Sequence, residues 1–130
     1  MSLQIPLTVD ALRQAGKRVL VAGDNYDLVF VLKRSGTAVN LTGAKIWFTV
    51  KRSVAQTDSA ADLQLDTDTP ADISITDAAN GQVTVYLKPS NTESLEGSWL
   101  YDLQVLLSGK VTTYAQGKIE FLPNVTRTTT

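Results

Sequence analysis

The carboxylates are the residues of this sequence best placed to do chemistry. Asp24 and Asp27 flank one apolar run, and Asp66, Asp68 and Asp72 crowd into a stretch rich in Ser, Thr and Ala. Two acids at matched spacing can serve as general acid and base, and alternating oxygen donors can hold calcium. The calcium pattern is incomplete. In Asp66-Thr67-Asp68-Thr69-Pro70-Ala71-Asp72 an EF-hand loop would need a third ligand where Pro70 stands, then Gly and a distal Glu. Asp is also favoured in loops for its own turn-forming hydrogen bonds, so solvated loop acids are the plainer reading. The sequence contains no histidine and no cysteine. The first absence removes the commonest general base, the commonest metal ligand and every Ser-His or Cys-His nucleophile pair. The second removes disulfides and thiolate zinc sites. We expect no catalytic residue, no metal and no cofactor, and no enzyme.

Binding chemistry has more to work with. Three basic pairs, Lys17-Arg18, Lys33-Arg34 and Lys51-Arg52, sit beside apolar runs, where charge discourages edge-to-edge aggregation. No aromatic interleaves with them and the net charge is −1, so neither a stacking platform for single strands nor a phosphate-binding surface is expected. Trp47 and Tyr86 fall opposite the apolar positions of their own runs, as do Val29 and Val31. An aromatic on an open sheet face either anchors a protein interface, stacks on a sugar ring or is covered by a loop. A strand apolar on both faces must be covered by the rest of the chain or by a neighbouring subunit.

Those residues need strands to position them. The chain has 130 residues, 43% hydrophobic and 19% charged, enough for one core but not two and too apolar for disorder. No apolar stretch reaches the ~18 residues of a membrane span. The start, Met1-Ser2-Leu3-Gln4-Ile5-Pro6, lacks a secretory leader's basic and apolar regions. Alternation with a period of two recurs in six runs. The inward positions are Leu28, Phe30 and Leu32; Ile46, Phe48 and Val50; Val83, Val85 and Leu87; Trp99, Tyr101, Leu103, Val105 and Leu107, while Asp72-Ile73-Ser74-Ile75-Thr76 supplies the third run. The sixth run places Thr113, Ala115, Gly117, Ile119 and Phe121 on one face. Asn80-Gly81 predicts a hairpin turn with positive φ between the third and fourth runs. Ser90-Asn91-Thr92-Glu93 reads as a capping box opening one helical turn that bridges two sheets. Asp10 to Gly16 carries the signals of a short helix. The stretch 53–71 reads as a long exposed loop with a short edge strand at Leu63-Gln64-Leu65.

The order of segments resembles a phage family. Gly23-Asp24, a strand, Ser35-Gly36-Thr37 and Val39-Asn40-Leu41-Thr42-Gly43-Ala44-Lys45-Ile46 are similar to its opening motif. Asp77-Ala78-Ala79-Asn80-Gly81-Gln82-Val83, Tyr101-Asp102-Leu103-Gln104-Val105 and the run from Gly117 to Arg127 follow in the same order. Together, over about residues 19–127, they resemble the immunoglobulin-like N-terminal domain of tailed-phage baseplate upper proteins and related tail and virion proteins. The resemblance implies a virion building block that binds other virion proteins, with no catalytic residue to carry over. In that family further modules that reach a host receptor commonly follow. This sequence stops at Thr130, so a fitting of the tail, neck or head surface is expected over a host-binding tip.

The expected architecture is all-β, an immunoglobulin-like antiparallel β-sandwich. Residues 1–18 form an arm, extended or a short helix; 19–127 form the sandwich; 128–130 form a tail. The expected role is a structural phage or prophage virion protein of the tail, baseplate or neck, mediating protein–protein assembly. The alternatives are a carbohydrate- or host-surface-binding module and a head-surface decoration protein. Expected contact residues are Leu3, Ile5, Leu7, Val9, Val29, Val31, Trp47 and Tyr86. Expected partners are other virion proteins and further copies of the chain, with host glycan the weaker candidate and neither nucleic acid nor membrane. The protein is expected in the virion, made in the bacterial cytoplasm and not secreted.

Overall fold

A computed structural model of the chain describes residues 3–10, 18–34, 36–52 and 63–123, which fold into two five-stranded sheets. One sheet orders β1 (Leu3–Asp10), β3 (Tyr26–Arg34), β8 (Gln82–Leu87) and β7 (Ile73–Asp77), with the short β4 (Thr37–Ala38) paired to β3. The other orders β2 (Arg18–Val21), β10 (Lys110–Leu122), β9 (Gly97–Leu107), β5 (Lys45–Lys51) and β6 (Leu63–Asp66). The chain crosses between sheets from β4 to β5, β6 to β7 and β8 to β9, and it makes hairpins at β5–β6, β7–β8 and β9–β10. This is the strand order of an immunoglobulin-type sandwich. The fold expected from the sequence is the fold observed.

The period-two alternation is what closes it. In β3 the residues Tyr26, Leu28, Phe30 and Leu32 are buried while Asp27, Val29, Val31 and Lys33 are half-buried on the other face. In β9 the buried set is Trp99, Tyr101, Leu103 and Val105. The two inner faces meet through aromatic rings. Phe48 of β5 lies 6.4 Å from Phe30 of the opposite sheet and 5.9 Å from Tyr101 beside it, centroid to centroid. Phe30, Phe48 and Phe121 are all but inaccessible to solvent, and burying each such ring contributes roughly 1.5–3 kcal/mol.

Four features depart from the sequence reading. Two pairings are parallel, β1 with β3 and β2 with β10, in a sandwich expected to be antiparallel. The reason is topological: after β1 the chain crosses to the other sheet for β2, then returns through residues 22–25, so β3 runs in the direction of β1. Second, the expected arm is a strand over Leu3–Asp10, added to the edge of its own sheet; Leu3, Ile5, Leu7 and Val9 stand in register with Tyr26, Leu28, Phe30 and Leu32. The helix expected from Asp10 to Gly16 lies, after Asp10 itself, outside the described residues, as do residues 53–62 of the expected loop and the 128–130 tail. Third, a bulge in β10 shifts its register between Thr113 and Ala115. Thr113 is thereby moved to the outer face opposite Gln104, and Tyr114 is turned inward, 5% exposed. A single extra residue is invisible to a period-two pattern.

The fourth departure is in two turns. Between β7 and β8 the chain makes a 3-10 turn over Ala78–Asn80, and only Gly81 has positive φ, at 72°. Its N–H is bonded to Ala78 O, and its carbonyl accepts from Leu32 N–H at 2.8 Å. The helical turn before β9 spans Pro89–Thr92 with Lys88 as its N-cap, two residues earlier than the capping pattern placed it. Asn91 Oδ1 accepts from Lys88 N–H at 2.8 Å, and the buried Thr92 Oγ1 accepts from Gly23 N–H at 2.9 Å. Thr92 thereby ties the β8–β9 crossing to the turn between β2 and β3, the bridging role expected of this segment.

Candidate docking surfaces

The expected contact residues divide between opposite faces. Val29 and Val31 of β3 and Tyr86 of β8 share the outer face of the first sheet; Tyr86 stands opposite Asp27, Val29 opposite Thr84 and Val31 opposite Gln82. All three are half-buried. Around them the surface is hydroxylic. Thr84 Oγ1 lies 3.2 Å from Thr76 Oγ1, which also accepts from Gln82 Nε2 at 3.0 Å. Trp47 is half-buried on the outer face of the second sheet, opposite Gln104. The Lys45 ammonium stands 5.1 Å from the centre of its indole and 2.8 Å from Asp68. That carboxylate, by its hydrogen bond first and its charge after, holds the Lys45 ammonium above its usual pKa. Leu3, Ile5, Leu7 and Val9 lie on β1, beside the β3 edge that carries Val29 and Val31.

The sequence reading missed Leu106 and Val111, which pair on the outer face next to Lys45; Val111 is 60% exposed. Only the outward parity of Val111 after the Ser108-Gly109 turn signals it.

The acids that opened the question of catalysis are dispersed. Asp24 sits in the exposed turn after β2, and Asp27 is on the outer face of β3. Asp66 Oδ1 accepts from the Asp68 backbone N–H at 2.9 Å, the turn-forming bond expected of a loop Asp. Asp68 pairs with Lys45, and Asp72 with Lys88 at 2.5 Å. Among the basic pairs, Lys17 lies outside the described residues, Arg18 opens β2, Lys33 and Arg34 end β3, and Lys51 ends β5. The Arg52 guanidinium lies 4.9 Å over the Trp99 ring, an aromatic partner that linear spacing does not reveal.

The described surface also carries a groove of about 450 Å³ at one end of the sandwich, where β4 faces the β9–β10 hairpin. Val105 and Tyr114 are its buried lining, Val39 and Leu107 its half-buried walls, and Arg34 and Lys110 are exposed at its rim. The β10 bulge turns Tyr114 inward, and its ring becomes part of the lining. The hairpin at its lip is built on two successive left-handed residues, Ser108 with φ 53° and Gly109 with φ 76°.

An open, apolar and cationic set of surfaces with dispersed carboxylates is suited to binding. No protein-family model and no curated protein matches the sequence. The structure is similar to the N-terminal domain of ORF48 of phage TP901-1, with a TM-score of 0.60 and 10% sequence identity, over 92% of this chain and 98% of that one. At that identity the likeness shows the fold alone: this chain and a domain of a phage protein share one sandwich from end to end.

Proposed function

We propose that this protein is a structural component of a tailed-phage or prophage virion, in its tail, baseplate or neck, that works by binding other virion proteins and has no enzymatic role. The observation that carries the reading is the end-to-end match with a domain of a phage protein. Its support is the ordered set of motifs from Gly23-Asp24 to Arg127, which resembles the baseplate upper-protein family. The surface chemistry is consistent with it, since Val29, Val31 and Tyr86 give the first sheet an outer face that a neighbour can cover.

The test is direct. An antibody against the full chain should detect it in particles purified from a host that carries the gene, and light scattering should give a mass above the 14.1 kDa of one chain. A chain that stays monomeric and is missing from the particles refutes the assembly role.

A further inference from the structure

We infer that the groove between β4 and the β9–β10 hairpin receives an extended segment of a partner protein in which an apolar side chain stands next to a carboxylate. Three observations select that occupant. The lining is apolar at depth, with Val105 and Tyr114 buried and Val39 and Leu107 half-buried, so an apolar side chain is what it can desolvate. Among the described residues, the only charged ones in its lining are the exposed cations Arg34 and Lys110; none of them is an acid, and no ion pair joins either cation to another described residue. A carboxylate entering there meets two positive charges and no negative one. Finally, β4 is a two-residue exposed strand that, among the described residues, pairs with β3 alone. Its other edge offers backbone donors and acceptors to an extended chain, the mode by which peptides add to a sheet. A small apolar molecule would use the first feature and neither of the others.

The inference rests on the assembly role for its setting, but the two fail separately: light scattering and particle composition test that role, and a titration tests the groove. The probe is an acetylated and amidated peptide with Phe beside Asp, added to the isotopically labelled full chain and followed by amide chemical shifts. Saturable shifts should appear at Ala38, Val39, Leu107 and Lys110. Replacing the probe's Asp with Asn, which gives up its attraction to both cations, should weaken binding about thirtyfold, and Arg34→Glu or Lys110→Glu should do the same, because each turns a contact-distance attraction worth about fivefold in high dielectric into an equal repulsion. Lys118→Glu makes the same change of net charge on an exposed outer residue of β10 and should leave affinity unaltered. Absence of saturable shifts at the groove overturns the inference. So does equal binding of the Asp and Asn probes, which would make the groove a plain apolar pocket. Should a charge-reversed variant fail to fold, the two probes on the native chain still decide.

Discussion

Gly81→Ala puts the packing of the first sheet to a quantitative test. Gly81 has φ 72°, and a Cβ built there would overlap the carbonyl oxygen of Leu32 and stand 2.9 Å from that of Val39. Neither obstacle is a side chain that can swing away. Leu32 O accepts from Val39 N–H at 3.0 Å, and Leu32 N–H donates to Gly81 O itself at 2.8 Å. Holding Ala in the left-handed region costs about 1 kcal/mol, and displacing the two hydrogen bonds adds about 1 kcal/mol each. The loss is therefore about 3 kcal/mol. With unfolding entropy of about 0.27 kcal/mol/K for a chain of this length, the melting temperature should fall by about 11 °C. Gly43→Ala is the control. Gly43 has φ 80° with nothing within 4 Å of its added Cβ, so only the conformational part applies and the fall should be about 4 °C. Differential scanning calorimetry of both variants separates the terms. Equal falls would mean that the close approach of Gly81 to β3 and residue 39 contributes nothing, and the reasoning would be wrong.

Other perturbations follow from the same contacts. Phe48→Ala removes the ring that joins Phe30 to Tyr101 across the sheets and should lower stability by about 3–5 kcal/mol in denaturant titration. Thr92→Val keeps the volume but leaves the Gly23 N–H without its acceptor, at about 1–3 kcal/mol, visible as faster amide exchange at Gly23. Ser108→Gly relieves the one non-glycine residue with positive φ among those described and should raise the melting temperature by a few degrees. Deleting residues 1–16 strips β1 from the β3 edge, so the truncated chain should unfold at lower temperature than the full one; an unchanged transition would show that β1 adds nothing to the sheet.

How much of this was legible in the sequence depends on whether a feature repeats. Strands whose burial alternates without interruption, such as β3 and β9, were readable because each residue repeats the same instruction. The fourteen or so large side chains they and their neighbours turn inward, Phe48 and Trp99 among them, are buried as expected. Single-residue events were not readable. The Tyr114 bulge changes the parity of everything before it, and neither Tyr nor Thr113 announces it. Strands too short to show a rhythm, β2 and β4, were also missed, since two to four residues carry at most two periods of buried and exposed positions. For the candidate contact residues, parity correctly set Val29, Val31, Trp47 and Tyr86 outward. It could not say that Trp47 belongs to the other sheet from the rest, which depends on the crossing from β4 to β5. The groove needed two segments far apart in sequence, so no local pattern encodes it.

The register of the outermost strands gives the molecule a polarity. Leu3 stands opposite Tyr26, and Leu122 opposite Val21; a four-residue turn separates those two partners, so the start of β1 and the finish of β10 emerge together. Arg34 and the groove lie at the far end of β3, about 26 Å away at 3.3 Å per residue. The chain therefore enters β1 and leaves β10 at the pole opposite the β9–β10 hairpin. A fluorescent tag, a bead or a neighbouring module can be hung there without shadowing the groove.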